Sequence, residues 1–415
     1  MPSVLFHHFG LSLASLAIPC LIPCFASGCL SPAPAVTEDA GPAATQATEA
    51  GTCSAAATFT PVPDSTGITY MDDLTTHPGC TTAGLSARTE LDGTAASYTP
   101  AVIPGFTCAA KDYGTPANED TTKPIIILVH GNSSTPNNWE TYAKDPAHTP
   151  MIAETLVADG YHVYASDARY DMVPTDTTNN PSKNYDHAWA VPIVQSLFES
   201  LFAMYPTRQF NIAAFSLGPT IVRDALRRML NKGEHPFARI HALHLASGGH
   251  HGVSTYSTEC VSEANPKVPG MAGAASCQLG DRTNYVSTPF EAPLNGPGGV
   301  DGIQDEVSWD TPCSDGNTAY GQTGVCGCNT VVYSTVVFAD PANGPLLDEF
   351  VSQTAARLHG ANNMTVTQVQ DGVCTNPSDM STCTGYFFFP NFEHHFGSIR
   401  SAQGIAIAKA ALETK

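Results

Sequence analysis

Charged side chains are scarce in this 415-residue chain: Asp, Glu, Lys and Arg together make up 13% of it, with 18 basic residues against 38 acidic ones. The resulting net charge of −20 repels a phosphate backbone and excludes nucleic-acid binding; the acidity serves solubility. An apolar run long enough to cross a bilayer is missing near the start, where Leu11 to Ile22 is too short. No internal repeat is apparent. Regular metal spacings are missing too. Cys326-Gly-Cys328 is too tight for a zinc pair, and the adjacent His250 and His251 point apart on an extended chain. Asp301, Asp305, Glu306 and Asp310 lack the ligand rhythm of a calcium loop, so a solvated loop is the reading preferred there. No cofactor is expected, with structural calcium in that acidic stretch as the one alternative.

The opening residues have the form of an export signal over 1–28. The Leu11 to Ile22 run is followed by Ala26-Ser27-Gly28 and then Cys29. That ending resembles a bacterial lipobox, in which the cysteine carries lipid after cleavage and could tether the chain to a membrane. Two features depart from it: the stretch before the run holds His7 and His8 but no Lys or Arg, and Ala26 stands where leucine is usual. Ordinary cleavage after Gly28 is the alternative. Residues 29–52, rich in Ala, Pro and Thr, read as a disordered tether. The expected location is secreted or cell-envelope.

Of thirteen cysteines, Cys20 and Cys24 lie in this leader and Cys29 is the proposed anchor. The remaining ten are Cys53, Cys80, Cys108, Cys260, Cys277, Cys313, Cys326, Cys328, Cys374 and Cys383. An even number in an exported chain predicts disulfides. If Cys374 pairs with Cys383, odd numbers remain on either side of the centre, and full oxidation then requires a bridge between the N-terminal cysteines and those after residue 252.

From residue 53 to 415 the chain reads as one large domain. A mixed region of short strands and loops leads into "PIIILVHG" (Pro124 to Gly131), an apolar strand ending in a glycine turn. Helix and strand patterns then alternate: "MIAETLVADG", "YHVYASD", "VPIVQSLFESLFAMY", "FNIAAFS", "TIVRDALRRMLNK" and "IHALHLA". Continuously apolar strands are buried on both faces, which predicts an α/β fold with a mostly parallel central sheet flanked by helices. Residues 252–329 interrupt the rhythm with a polar, Gly/Pro-rich, Cys-rich insertion, read as a cap; a separate second domain is the alternative. The alternation resumes with "VVYSTVVFAD", a helix over "PLLDEFVSQTAARLHG", the strand "MTVTQV" and a last helix from about Ser398 to Glu413.

Ser216 sits where the strand "FNIAAF" becomes a helix. A turn that sharp demands small neighbours two residues either side, and Ala214 and Gly218 supply them. A serine capping the helix is the bland reading, and Ser247, at the end of the next strand, is the rival nucleophile. A hydroxyl attacks well only if a base takes its proton and N–H donors receive the developing oxyanion. His395 in "NFEHHFGSI", expected on a late loop after the last strand and before the last helix, is the candidate base, with His394 as rival. Asp340, ending an apolar strand, is the candidate acid; Asp348 is weaker, because "LLDEF" reads as helical and solvent-facing. The oxyanion donors are the amides of Leu217, after the serine, and Asn132, after His130-Gly131. His130 is assigned a structural hydrogen bond rather than proton transfer.

"ILVHGNSS", "AAFSLG", "RLHGANN" and "HHFGSI" together resemble the α/β-hydrolase superfamily, and most closely its small secreted bacterial triacylglycerol lipases with an Ala-x-Ser-x-Gly elbow. The resemblance covers roughly residues 124–247 and 330–415. It implies a serine esterase or lipase acting through an acyl-enzyme, and its His-x-Gly string favours His395 over His394. Pro219 replaces the usual second glycine, which a first helical turn tolerates. The substrate implied is a small-molecule or lipid ester. "GYFFFPNF" could line an acyl-binding wall or simply be core. A peptidase, acyltransferase or polyester depolymerase with the same three residues is the enzymatic alternative, and a non-catalytic binding module on the same fold is the other.

Overall fold

In the computed structural model the described residues are 98–114, 117–131, 134–141, 150–168, 185–234, 236–253, 331–340, 346–358, 361–370, 372–374, 383–385 and 392–413, with a few positions between 74 and 85. The leader, the tether, Cys29 and nearly all of the 252–329 insertion, including its acidic and cysteine residues, lie outside them.

Among the described residues eight strands form one sheet. They are β1 (Ala109–Asp112), β2 (Ile125–Val129), β3 (Val163–Asp167), β4 (Phe210–Phe215), β5 (Ile240–Ala246), β6 (Val332–Asp340), β7 (Leu346–Leu347) and β8 (Asn362–Val366). The order runs β1-β3-β2-β4-β5-β6, with both β7 and β8 paired to β6. Every pairing from β3 through β8 is parallel except β6 with β7; β1 is antiparallel to β3. Two short strands, β9 (Gly372–Cys374) and β10 (Cys383–Gly385), make a separate hairpin in which Cys374 stands opposite Cys383.

The helices are α1 (Ile152–Ala158), α2 (Tyr185–Met204), α3 (Gly218–Asn231), α4 (Gln353–Ala356), α5 (Glu393–Arg400) and α6 (Ala402–Leu412). Alternation within each strand feeds two cores. Ile125, Ile127 and Val129 of β2, with Phe210, Ile212 and Ala214 of β4, meet Val194, Leu197 and Leu201 of α2 and Val222 and Leu226 of α3. Ile126, Leu128, Ala213 and Phe215 face the other way, toward Leu156 of α1, Phe396 and Ile399 of α5, and Ile405 and Leu412 of α6. Each such side chain contributes about 1.5–3 kcal/mol on burial, so the two-sided packing fixes the sheet's central strands firmly. One polar residue is built into the middle. Asn211 of β4 accepts a hydrogen bond from Ala242 N and donates to Leu412 O at 2.6 Å, fastening the last helix to the sheet.

The α/β expectation holds, with three local differences. The helix expected over "PLLDEFVSQTAARLHG" is instead the two-residue β7, a turn, and the single-turn α4 that Ser352 caps through Ala355 N. The last helix is two helices broken at Ser401, which caps α6 by accepting from Gly404 N. His395, expected on a loop, lies inside α5. Among the described residues no helix is long and apolar enough to cross a membrane.

Candidate active site

The serine at the β4–α3 junction has φ of 60°, in the left-handed region that non-glycine residues rarely occupy. Holding it there costs on the order of 1–3 kcal/mol, which the packed strand and helix on either side must supply. The close fit explains the small neighbours. A Cβ on Gly218 would sit 2.7 Å from Val129 O and 2.9 Å from His130 O, so the chain exiting β2 forbids a side chain there. A Cβ on Gly131 would meet Ser216 Cβ at 2.7 Å. Thus the glycine turn after β2 lies directly against the serine. Ser216 is half-buried and leaves a face open to solvent, as an attacking group requires.

His395 completes the geometry. Its Nε2 is 2.9 Å from Ser216 Oγ, and its Nδ1 lies 2.8 and 2.9 Å from the two oxygens of Asp348. The carboxylate only accepts, so Nδ1 carries the proton and Nε2 is left to accept from the serine hydroxyl. Both residues are buried. Burial by itself raises the Asp348 carboxyl, but the charge and hydrogen bond of His395, with N–H groups of Val351 and Phe350, outweigh it and hold the group below its ordinary value. Asp348 is therefore an anion at neutral pH. Phe215 and Phe350 flank the imidazole, with ring centroids at 4.8 and 4.9 Å, and fix its plane.

The expectation that Asp340 orients the base is corrected: the carboxylate facing His395 is Asp348. Asp340 ends β6 and pairs in the ladder with Leu346. The sheet edge was the right one, but the chain turns back along β6 through β7, and this return arm delivers the acid. Its apparent helical spacing gives way to a turn in which Asp348 accepts from Phe350 and Val351 N–H groups.

The rivals are engaged elsewhere. His394 Nδ1 is 2.6 Å from Glu349 Oε1. Ser247 also has positive φ, 46°, but it is fully buried and donates to Ser398 Oγ at 2.9 Å. His130 Nε2 accepts from Ala168 N, and Nδ1 contacts Gly131 O at 2.8 Å, a loop-shaping role as expected. His250 is buried beside Arg223; burial first, then the Arg223 and His251 charges, push its imidazole well below the ordinary value. Among the described residues no group of His, Cys, Asp and Glu is arranged to hold a metal ion.

Leu217, the N-cap of α3, presents its amide at that helix's N-terminus beside Ser216. Asn132 lies outside the described residues. Of the aromatic run, Phe392 is described; its ring packs at 4.6 Å and a tilt of 49° against Phe350, which lies next to the imidazole. Cys80 and Cys108 are disulfide-bonded, so the cross-region bridge expected from the cysteine numbers would fall to Cys53, outside the described residues.

Two contributors carried no sequence signal. Glu349 accepts from His394 N through Oε1 and from His395 N through Oε2, at 3.0 and 2.7 Å, and so caps the helix bearing the base. The N-cap residue, Phe392, makes no side-chain cap of its own. Arg400, at the other end of that helix, donates to main-chain carbonyls of residues 137, 138 and 140.

The mostly parallel sheet flanked by helices is that of the α/β-hydrolase fold class, and on it a left-handed serine between strand and helix is followed in chain order by Asp348 and His395. No protein-family model matches the chain, and no curated protein matches it by sequence. Solved structures similar in fold include a lipase of Bacillus licheniformis in mature form, 14% identical, covering 75% of this chain and 99% of that one at a TM-score of 0.43. Lipase B of Aspergillus fumigatus is 15% identical over 65% of this chain and 55% of its own, at 0.35. A metagenomic carboxyl esterase is 11% identical over 72% and 77%, also at 0.35.

Proposed function

We propose that the chain is a serine hydrolase of carboxylic esters. The observation that carries this reading is the unbroken relay from Ser216 Oγ through the His395 imidazole to Asp348, with spacings of 2.9 and 2.8 Å. In the proposed cycle Ser216 Oγ attacks the ester carbonyl while His395 Nε2 takes its proton. Negative charge gathers on the carbonyl oxygen, for which the Leu217 amide and the amide of Asn132 are the proposed donors. Collapse of the tetrahedral adduct expels the alcohol, protonated by His395, and leaves an acyl-serine. Water, deprotonated by the same imidazole, then attacks the acyl carbon; collapse of this second adduct breaks the bond to Ser216 Oγ, which regains the proton from His395, and releases the acid. Asp348 holds the imidazole in the tautomer that can accept from serine and stabilises the imidazolium once formed.

Export through the leader, with lipid attachment at Cys29, is part of the same proposal and would expose the enzyme to environmental esters. The aromatic wall of Phe350 and Phe392 beside the imidazole supports apolar acyl groups as substrates over charged ones. Purified protein should hydrolyse p-nitrophenyl esters, and Ser216→Ala should lower kcat by about three orders of magnitude or more. Turnover by that variant at the wild-type rate contradicts the reading.

A further inference from the structure

Arg400 is 1% exposed and sits in the last turn of α5, the helix whose first turns carry His395. Its guanidinium reaches away from its own helix to another segment. Nη1 donates to Asn137 O at 3.0 Å and Asn138 O at 2.6 Å, and Nη2 donates to Glu140 O at 2.8 Å. Those carbonyls end the one-turn 3-10 helix Pro136–Trp139, so the cation caps a helix C-terminus, where outward-facing carbonyl oxygens favour positive charge; Asn137 O also accepts from Glu140 N. Asn138 passes the constraint on. Its side-chain Oδ1 accepts from Gly131 N at 3.3 Å, and Gly131 is the residue with no room for a Cβ against Ser216.

We propose that Arg400 is a positioning residue for the reaction: by clamping the 137–140 carbonyls to the helix that carries His395 it fixes, through Asn138, the turn at Gly131 that packs directly against Ser216. One guanidinium thereby keeps His395 and the Gly131 turn against Ser216 in a common frame. Arginine is needed because its planar fork spans several carbonyls at once, whereas a lysine ammonium is a single point.

This inference rests on the proposed ester hydrolysis. Its test compares wild type, Arg400→Lys, Asn138→Ala and the double variant for kcat, KM and Tm on a p-nitrophenyl ester. Arg400→Lys and Asn138→Ala should each lower kcat about 10- to 100-fold with KM changed less than about threefold, because the loss falls on the transition state. The double variant should be no more than about threefold slower than the worse single one, since both act along one route. Added guanidinium, below denaturing concentration, should restore part of kcat to Arg400→Ala. Should Arg400→Ala not fold, the Lys and Asn138 arms decide. A kcat for Arg400→Lys within about twofold of wild type, or a double variant whose loss is the product of the singles, overturns the coupling. Wild-type protein without esterase activity overturns the functional reading along with it; active wild type with an unaffected Arg400→Lys overturns the coupling alone.

Discussion

Ser216 and Ser247 occupy equivalent places at the carboxyl ends of the adjacent parallel strands β4 and β5. Both have left-handed backbone, with φ of 60° and 46°. Their amides even make analogous bonds to the next strand, Ser216 N to Ala246 O and Ser247 N to Val336 O. Beyond that they diverge. Ser216 keeps an open face and meets an imidazole, while Ser247 is sealed and gives its proton to Ser398, whose hydroxyl in turn donates to His395 O. A strained backbone at a sheet edge is thus shared by a reactive geometry and a structural one. What separates them is access and an oriented acceptor, both supplied by segments more than a hundred residues further along the chain.

The comparison can be pushed hardest by removing the acceptor's support. Asp348→Asn should lower kcat by about three to four orders of magnitude, because an amide there favours the wrong imidazole tautomer. Asp340→Asn should stay within about threefold of wild type by the same assay, since the carboxylate on the imidazole Nδ1 is that of Asp348. Equal losses in both variants would return Asp340 to the role of acid.

A smaller effect concerns stability rather than rate. His244, on the strand that ends near Ser247, is buried and its imidazole is pushed down to about 4 by desolvation. Between that value and the ordinary one near 6.5, the unfolded chain binds a proton that the folded chain refuses, so stability falls as pH is lowered through this window. His244 alone should contribute a loss approaching about 3 kcal/mol at pH 4 in urea unfolding, with His250 adding to it, and His244→Asn should reduce the slope. Asp348 adds a loss at more acid pH: its carboxyl is depressed in the folded state, so its contribution is intact above the unfolded value and disappears as pH falls through the folded one. A stability curve flat from pH 6.5 to 4 would contradict the account of His244.

The same contrast explains what could be read from the residues in order. The alternation of apolar strands and amphipathic helices was legible, because each strand's pattern reports burial on both faces. Ser216 was legible because a strand-to-helix turn imposes small residues within two positions. His395 followed from chain order and its glycine neighbour. The acid was not legible. "PLLDEF" satisfies a helical spacing locally, and only the antiparallel pairing of Leu346 and Leu347 with the end of β6 turns Asp348 inward. Glu349 and Arg400 were equally hidden, since their partners lie 45 or more residues away and are main-chain atoms that leave no mark in composition.

The most direct test is covalent. A fluorophosphonate probe should react with the folded, oxidised protein, and peptide mapping should find the adduct on Ser216, with labelling abolished in Ser216→Ala and retained in Ser247→Ala. An adduct on Ser247, or no serine adduct on folded protein, would contradict the account.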